Sequence, residues 1–543
     1  MKPDTLSALA VSVLVWLVAF PTVAEDSDKG KTTFAILSIC RVEQHGEIPG
    51  GNPRIAIESG MGDGGFAIAT TNPKAQAWFN YGIKLFHAFY HEDAKRAFDK
   101  AAAADPKCAM CLWGQALAHG PTANFDVSED ELKLALGYAQ QALAVAHTER
   151  DKMLAEATIR RSARKQDVAA ERDFSADLLK AETKSPGATD LRLIAAEALL
   201  AVYRRGDHSA ANEAMALIEP VLAKQPQNTG AIHYYIHATE FAGHPALALA
   251  YAEKLSALAP KASHLVHMAA HTFLRVGRYE DAAVINAFAL RVDSDHLADT
   301  ATPGLPSVAS YYSHNLAFGM AGAVMSGDRA LALKFADHVH RAYRESEFAN
   351  DELSYQEARR YVIYGRYDPR RMLALPEPVA EGKETLSFYH YAKGEGFAAL
   401  HDAAGVAREA ALVTGDTPMM AVARGVLAGR QAMLQGHYAD AAAAFEAAAG
   451  KQDAQLTSSF DPPPWWYPVR RSAAAAWLLD GQYAKAESAA RLSLKSWPAD
   501  PLTLLILSRA EDGLGRAADA RHDEAQAIGD WEGDLGKVDV TGI

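Results

Sequence analysis

Four residues separate His233 from His237, and four separate His267 from His271. That spacing sets both rings of each pair on one face of a helix. Each member of the second pair follows its counterpart by 34 residues, so equivalent positions on two successive helical hairpins carry imidazoles. Imidazole is the commonest metal ligand and titrates near neutral pH. The four rings therefore point to a transition-metal site or a proton-transfer site.

The elements that must position them are helices. Alanine occurs in runs, as at Ala101 to Ala104 and Ala473 to Ala476, and alanine is the best helix former. Near the N-terminus, Trp78, Tyr81-Gly82, Leu85, Ala94, Phe98 and Pro106 follow the tetratricopeptide signature almost completely. Small residues at Gly82 and Ala94 let two antiparallel helices approach, and Pro106 ends the second helix. The frame recurs at Gly243 with Ala248, Gly277 with Ala282, Gly327 with Ala332, Gly436 with Ala441, Gly481 with Ala486 and Gly515 with Ala520. Pro260 and Pro498 fall at repeat-closing positions. Repeats bury their apolar faces only against neighbours, so the expected fold is all-α: a tetratricopeptide superhelical solenoid with a short irregular N-terminal arm. The expected divisions are a signal segment (1–24), the arm (25–74), an N-terminal array with the histidine-rich groove (75–334), degenerate helical repeats (335–421), C-terminal repeats (422–530) and a tail (531–543).

The chain resembles a broad group of bacterial tetratricopeptide proteins in four stretches. These are Asn72-Pro73 to Gly120-Pro121, His233 to Ala238, His264 to Gly277, and Pro463 to Arg470. The resemblance implies a scaffold, not a reaction. It also implies that positions 2, 5, 9 and 12 of a repeat face the concave groove. With repeats beginning at Thr229, Ser263 and Ser313, these positions collect His233, His237 and Glu240, then His264, His267 and His271, then His314. A histidine-rich set with one carboxylate suits Zn, Cu, Fe or Ni. It exceeds what one tetrahedral ion needs, so the surplus serves a second ion, orients ligands, or transfers protons, with Glu240 as the candidate acid–base group.

Two insertions interrupt the frame. Residues 295–312 lie between the repeats carrying His271 and His314, in reach of the histidine surface. Residues 455–468 hold Pro462-Pro463-Pro464-Trp465-Trp466-Tyr467-Pro468, whose Trp pair is expected to cap a hydrophobic gap. Both are expected as loops. Cys108 and Cys111, two of only three cysteines, are open to a local disulfide, metal binding or redox exchange. His87, His91, His119, His390 and His437 show no partner in the sequence and are read as structural.

Lys2, the apolar run Leu6 to Phe20, Pro21 and the small residues ending at Ala24 form the pattern of a cleavable secretory signal, with a periplasmic destination. No later segment reads as a membrane span. The net charge of −13 argues against nucleic acid, which needs clustered Lys and Arg. No HExxH, G-x-S-x-G or phosphate-cradling glycine loop occurs. Three readings stay open: a metal-binding scaffold engaging a protein or small-molecule ligand in its groove, a metal-dependent hydrolytic or oxidative enzyme, and a metal-free adaptor in envelope assembly.

Overall fold

Glycine-to-phenylalanine contacts set the repeat geometry. Cβ atoms built on Gly82, Gly319 and Gly429 would each lie 2.4–2.5 Å from the ring of Phe98, Phe335 or Phe445, sixteen residues later in every case. Only a bare Cα lets the ring of the second helix lie across the first. The computed structural model describes residues 55–164, 166–185, 187–300, 306–345, 351–378, 383–456 and 462–543. The expected signal segment, Cys40 and residues 25–54 of the arm lie outside these residues.

The described residues hold helices and no strand. The first half contains α1 (Pro73–His87), α2 (His91–Ala104), α3 (Ala109–Ala118), α4 (Glu129–Val145), α5 (Glu149–Ser162), α6 (Val168–Glu182), α7 (Thr189–Arg204), α8 (Ala210–Lys224), α9 (Thr229–Phe241), α10 (Leu249–Leu258), α11 (Ser263–His267), α12 (Ala269–Val276), α13 (Tyr279–Thr300) and α14 (Pro306–Ser326). It continues with α15 (Arg329–Glu345), α16 (Asp351–Tyr367), α17 (Pro369–Ala374), α18 (Lys383–Ala399), α19 (Ala403–Ala410), α20 (Pro418–Leu434), α21 (Tyr438–Gln455), α22 (Val469–Leu479), α23 (Tyr483–Ser496), α24 (Pro501–Gly513) and α25 (Ala517–Gly529). Among the described residues each helix packs on the next in sequence, which is a tetratricopeptide-type solenoid.

Local chemistry explains the ends. Pro73 opens α1 behind the Asn72 cap, and the Asn228 side chain accepts from Ala231 N at the start of α9. Gly277 ends α12 at φ +87°, a backbone that favours glycine.

The winding is tight enough for distant repeats to touch. The α1–α2 hairpin packs on α9 and α14. At the other end, Tyr279 Oη donates to Pro498 O at 2.9 Å and Glu532 N to Ser326 O at 2.8 Å. Residues 55–72 run without helix across the starts of α9 and α11. Asp63 N donates to Thr229 Oγ1 at 2.7 Å, and Lys261 N to Gly60 O at 3.0 Å.

Two expectations need correction. Residues 295–300 and 306–312 of the insertion extend α13 and α14, residues 301–305 lying outside the described ones, and the helix carrying His314 begins at Pro306, not Ser313. The Trp465–Trp466 segment runs without helix over residues 462–468, as expected of a loop. Its rings stack at 4.2 Å and are buried against Tyr391, which fits the gap-filling role.

Candidate metal centre

α9 presents His233, His237 and Glu240. The short α11 and α12 present His264, His267 and His271. Met268, between these two helices, keeps φ −54° and ψ −28°, so the rings stay on one face despite the break. α14 adds His314. All seven sequence-derived candidates come together, and three overlapping groups of them could hold a metal ion: His233–His237–His264, His267–His271–His314 and His237–Glu240–His271. Within each group the donor atoms lie within 4.8 Å of one another.

The cluster does not line an open groove. His233 and His267 are 0% exposed, His264 and His271 1%, and His237 5%. Covering them is the turn after α1, where Phe89 adopts φ +61°. Equivalent hairpin turns place glycine there, with Gly243, Gly277 and Gly327 at φ +78°, +87° and +79°. A bulky side chain in that conformation costs on the order of 1–3 kcal/mol. It projects a ring onto the histidines, 4.4 Å from His233 and stacked on His264 at 5.4 Å. From the far side Phe318 packs on His271 at 4.5 Å and on His267 at 4.8 Å. Burial therefore holds the His233 pKa down to about 3, and those of His264 and His267 well below the ordinary range. These rings are neutral at physiological pH.

Hydrogen bonds assign their tautomers. His233 Nδ1 lies 2.6 Å from His87 O, a pure acceptor, so Nδ1 carries the proton. Asn286 donates through Nδ2 to Ala282 O at 2.6 Å and turns Oδ1 to His267 Nδ1 at 2.7 Å. His271 Nδ1 meets Glu240 Oε2 at 2.8 Å, while Arg275 Nε holds Glu240 Oε1 at 2.6 Å. With Nδ1 protonated on all three, each Nε2 keeps its lone pair. Yet His267 Nε2 and His271 Nε2 face each other at 3.0 Å, and His233 Nε2 faces His264 Nε2 at 3.2 Å. The second contact is satisfied if His264 donates. The first sets two lone pairs together and demands a positive centre, a proton or a metal ion. Metal–nitrogen bonds of about 2.0–2.1 Å put neighbouring donors about 2.9–3.4 Å apart at octahedral or tetrahedral angles, the range seen here.

A further layer ties down the base of α11. Ser263 donates to Asp293 on α13, Asn315 Nδ2 on α14 reaches the other Asp293 oxygen at 3.0 Å, and Tyr90 Oη stands 2.8 Å from Ser263 Oγ. Burial raises Asp293 to about 7.

Phe89, the His87 carbonyl, Asn286 and Arg275 were not legible as site residues. All four lie outside the groove-facing positions. Arg275 alone had a signal, sitting four residues after His271 on one helix face. His87 has partners the sequence hid: Asp190 Oδ1 at 3.0 Å and Tyr234 Oη at 3.1 Å. Cys108 and Cys111 form a disulfide across one helical turn, remote in sequence from the centre.

No protein-family model matches the chain, and no curated protein matches it. Among solved structures it is similar to the tetratricopeptide domain of P58(IPK), at 12% identity over 85% of this chain and 94% of that one, with a TM-score of 0.23. A monomeric mutant of IFIT1 with Gppp-AAAA gives 13% identity, 82% and 94% coverage and a TM-score of 0.34. The human IFIT1 dimer with PPP-AAAA gives 13%, 81% and 94%, and 0.31. Nothing about the histidine centre follows from likeness at this level; the repeat assignment stands on the helix pairs and the glycine-to-phenylalanine contacts.

Proposed function

We propose that this protein is an exported tetratricopeptide scaffold that binds transition metal in its central repeats. The observation that carries the reading is the facing pair of His267 and His271 Nε2 atoms at 3.0 Å, each ring locked by an acceptor at Nδ1. Such second-layer acceptors orient metal-binding histidines and raise their basicity. A shared proton also relieves one such contact, but four more imidazoles converge on the same volume. His233, His237 and His264 would take one ion, and His267, His271 and His314 another beside it. Neutral, nitrogen-rich ligands suit Zn, Cu or Fe. Glu240, with its oxygens engaged by Arg275 and His271, is assigned to orienting the ligands in preference to proton transfer.

A second reading, metal-dependent catalysis, has one observation in its favour. Each group is a triad, and three protein ligands leave a coordination position for water or substrate. His314 is the least buried ligand and marks the side from which a small molecule would arrive. The buried centre supports a protein partner less well than a small one, because the first hairpin covers the inner face at this point.

Elemental analysis of protein purified under mild conditions tests the proposal. Zn, Cu or Fe at one to two equivalents, lost in a His267→Ala/His271→Ala variant that stays helical, is the expected result. Metal content below a tenth of an equivalent, in protein that also takes up none on titration, would sink it. Export is tested separately: cell fractionation should find a mature chain beginning after Ala24 in the periplasm.

A further inference from the structure

The segment that crosses the repeats without helix also walls a cleft. Together with the start of α7 and the α8–α9 turn it encloses about 510 Å³, a volume typical of small-molecule sites. Gly64 and Gly65 form one wall. A Cβ on Gly64 would lie 2.8 Å from Lys84 N, and one on Gly65, at φ +110°, 2.4 Å from the Asn80 side chain. Bare backbone is therefore pressed onto α1 at this point. Another wall is a chain of polar side chains: Gln225 Nε2 donates to Thr189 Oγ1 at 3.3 Å, and Asn228 Nδ2 to Gln225 Oε1 at 3.0 Å. Asp63 pins the segment to α9, its Oδ2 accepting from Thr229 N at 3.1 Å.

Of the residues that line the cleft, Asp190 on α7 alone is buried, at 7% exposure. Its Oδ1 accepts from His87 Nε2 at 3.0 Å and from Gly65 N at 3.2 Å. Its Oδ2 has no partner among the described residues and is left to the cleft. His87 Nδ1 stands 3.1 Å from Tyr234 Oη. A neutral His87 that donates through Nε2 and accepts at Nδ1 satisfies both contacts and leaves Asp190 its charge. A carboxylate so largely desolvated, yet open at one oxygen, calls for a donor, and a charged donor answers best.

The other lining residues narrow the ligand. Asp63 adds a second carboxylate, and no lysine or arginine is among them, so an anion is repelled. Pro226 alone has an apolar side chain, so nothing there holds an apolar body. A bare divalent ion needs about six or more oxygens, and both carboxylates already spend one oxygen on an N–H.

We propose that this cleft binds a small organic cation, with an ammonium group on Asp190 Oδ2 and a body of hydroxyl or amide groups that bonds to Gln225, Gln227 and Asn228. None of these residues belongs to the histidine cluster, so binding in the cleft does not depend on metal.

Isothermal titration calorimetry of the full-length protein at fixed ionic strength provides the test. The probes are 1,4-diaminobutane and ethanolamine, each set against its matched diol, 1,4-butanediol or ethylene glycol. Saturable heat with an amine, and binding at least about tenfold weaker for its diol, is expected. Asp190→Asn should weaken amine binding at least about tenfold. Asp190 also holds His87, so a second variant leaves that bond alone: Gln227→Trp, at an exposed position, fills the cleft and should abolish binding with the melting temperature kept. No saturable heat with either amine up to about 20 mM, some twenty times a Kd of about 1 mM, would overturn the assignment. So would equal binding of the diols, or amine binding undiminished in a folded Asp190→Asn or Gln227→Trp variant. Calcium that binds saturably and displaces the amine would overturn it in favour of a metal ion.

Discussion

Asn286 offers the sharpest test of the metal centre because it touches no metal. It is fully buried on α13 and holds His267 Nδ1 at 2.7 Å while anchored to Ala282 O. Replacing it by leucine keeps the volume and removes the acceptor. His267 then has two choices. It can leave its Nδ1–H unsatisfied in the interior, which costs about 1–3 kcal/mol. Or it can move the proton to Nε2 and donate to His271 Nε2, 3.0 Å away. The second choice relieves the clash of lone pairs, so metal-free Asn286→Leu should lose no more than the lower end of that range. It also occupies the nitrogen that would bind the ion. Loss of such a second-layer partner weakens metal binding about 10- to 100-fold, or about 1.4–2.7 kcal/mol. Competition of Zn²⁺ against a chromophoric chelator measures this directly, and Co²⁺ absorption reports the ligand geometry. The signature is selective: helicity and metal-free melting nearly kept, affinity strongly reduced. Zn²⁺ affinity within threefold of the parent would refute the tautomer argument, since the ligand nitrogen would then not depend on Asn286.

Further outcomes follow from other residues. Phe89→Gly removes a strained φ of +61° and the ring covering His233 and His264; bound metal should pass to a chelator at least about tenfold faster, and an unchanged exchange rate would mean the ring is not the barrier. Glu197 is fully buried, and burial raises its pKa from the ordinary 4.5 to about 7. Its proton is retained by the native state and lost from the unfolded state between those values. The associated stability is present below pH 4.5 and lost as pH rises through about 7, about 3 kcal/mol in all. Glu197→Gln should therefore gain on the parent progressively over that window in urea unfolding, and a pH-independent difference would contradict the burial argument. Gly82→Ala would drive a Cβ to 2.5 Å from the Phe98 ring, costing about 1–3 kcal/mol by overpacking; a melting temperature equal to the parent's would show that the ring moves freely.

Much of this protein was written locally. The turn glycines, the proline stops and the 34-residue offset are properties of neighbouring residues, and a helix of 3.6 residues per turn converts them directly into faces. That is why the all-α repeat fold and the seven candidates from His233 to His314 could be read without coordinates. Tertiary structure decided what those histidines are. Their burial comes from a hairpin some 140 residues earlier in the chain, held on α9 and α14. Their protonation comes from His87 O, Asn286 and Glu240, and α13 and α14 took in both flanks of an expected loop. Periodicity specifies which side of a helix a residue occupies. It carries no information on which distant surface closes over that side, and that closure, by excluding water and fixing each Nδ1 proton, sets the lone pairs of His267 and His271 against each other.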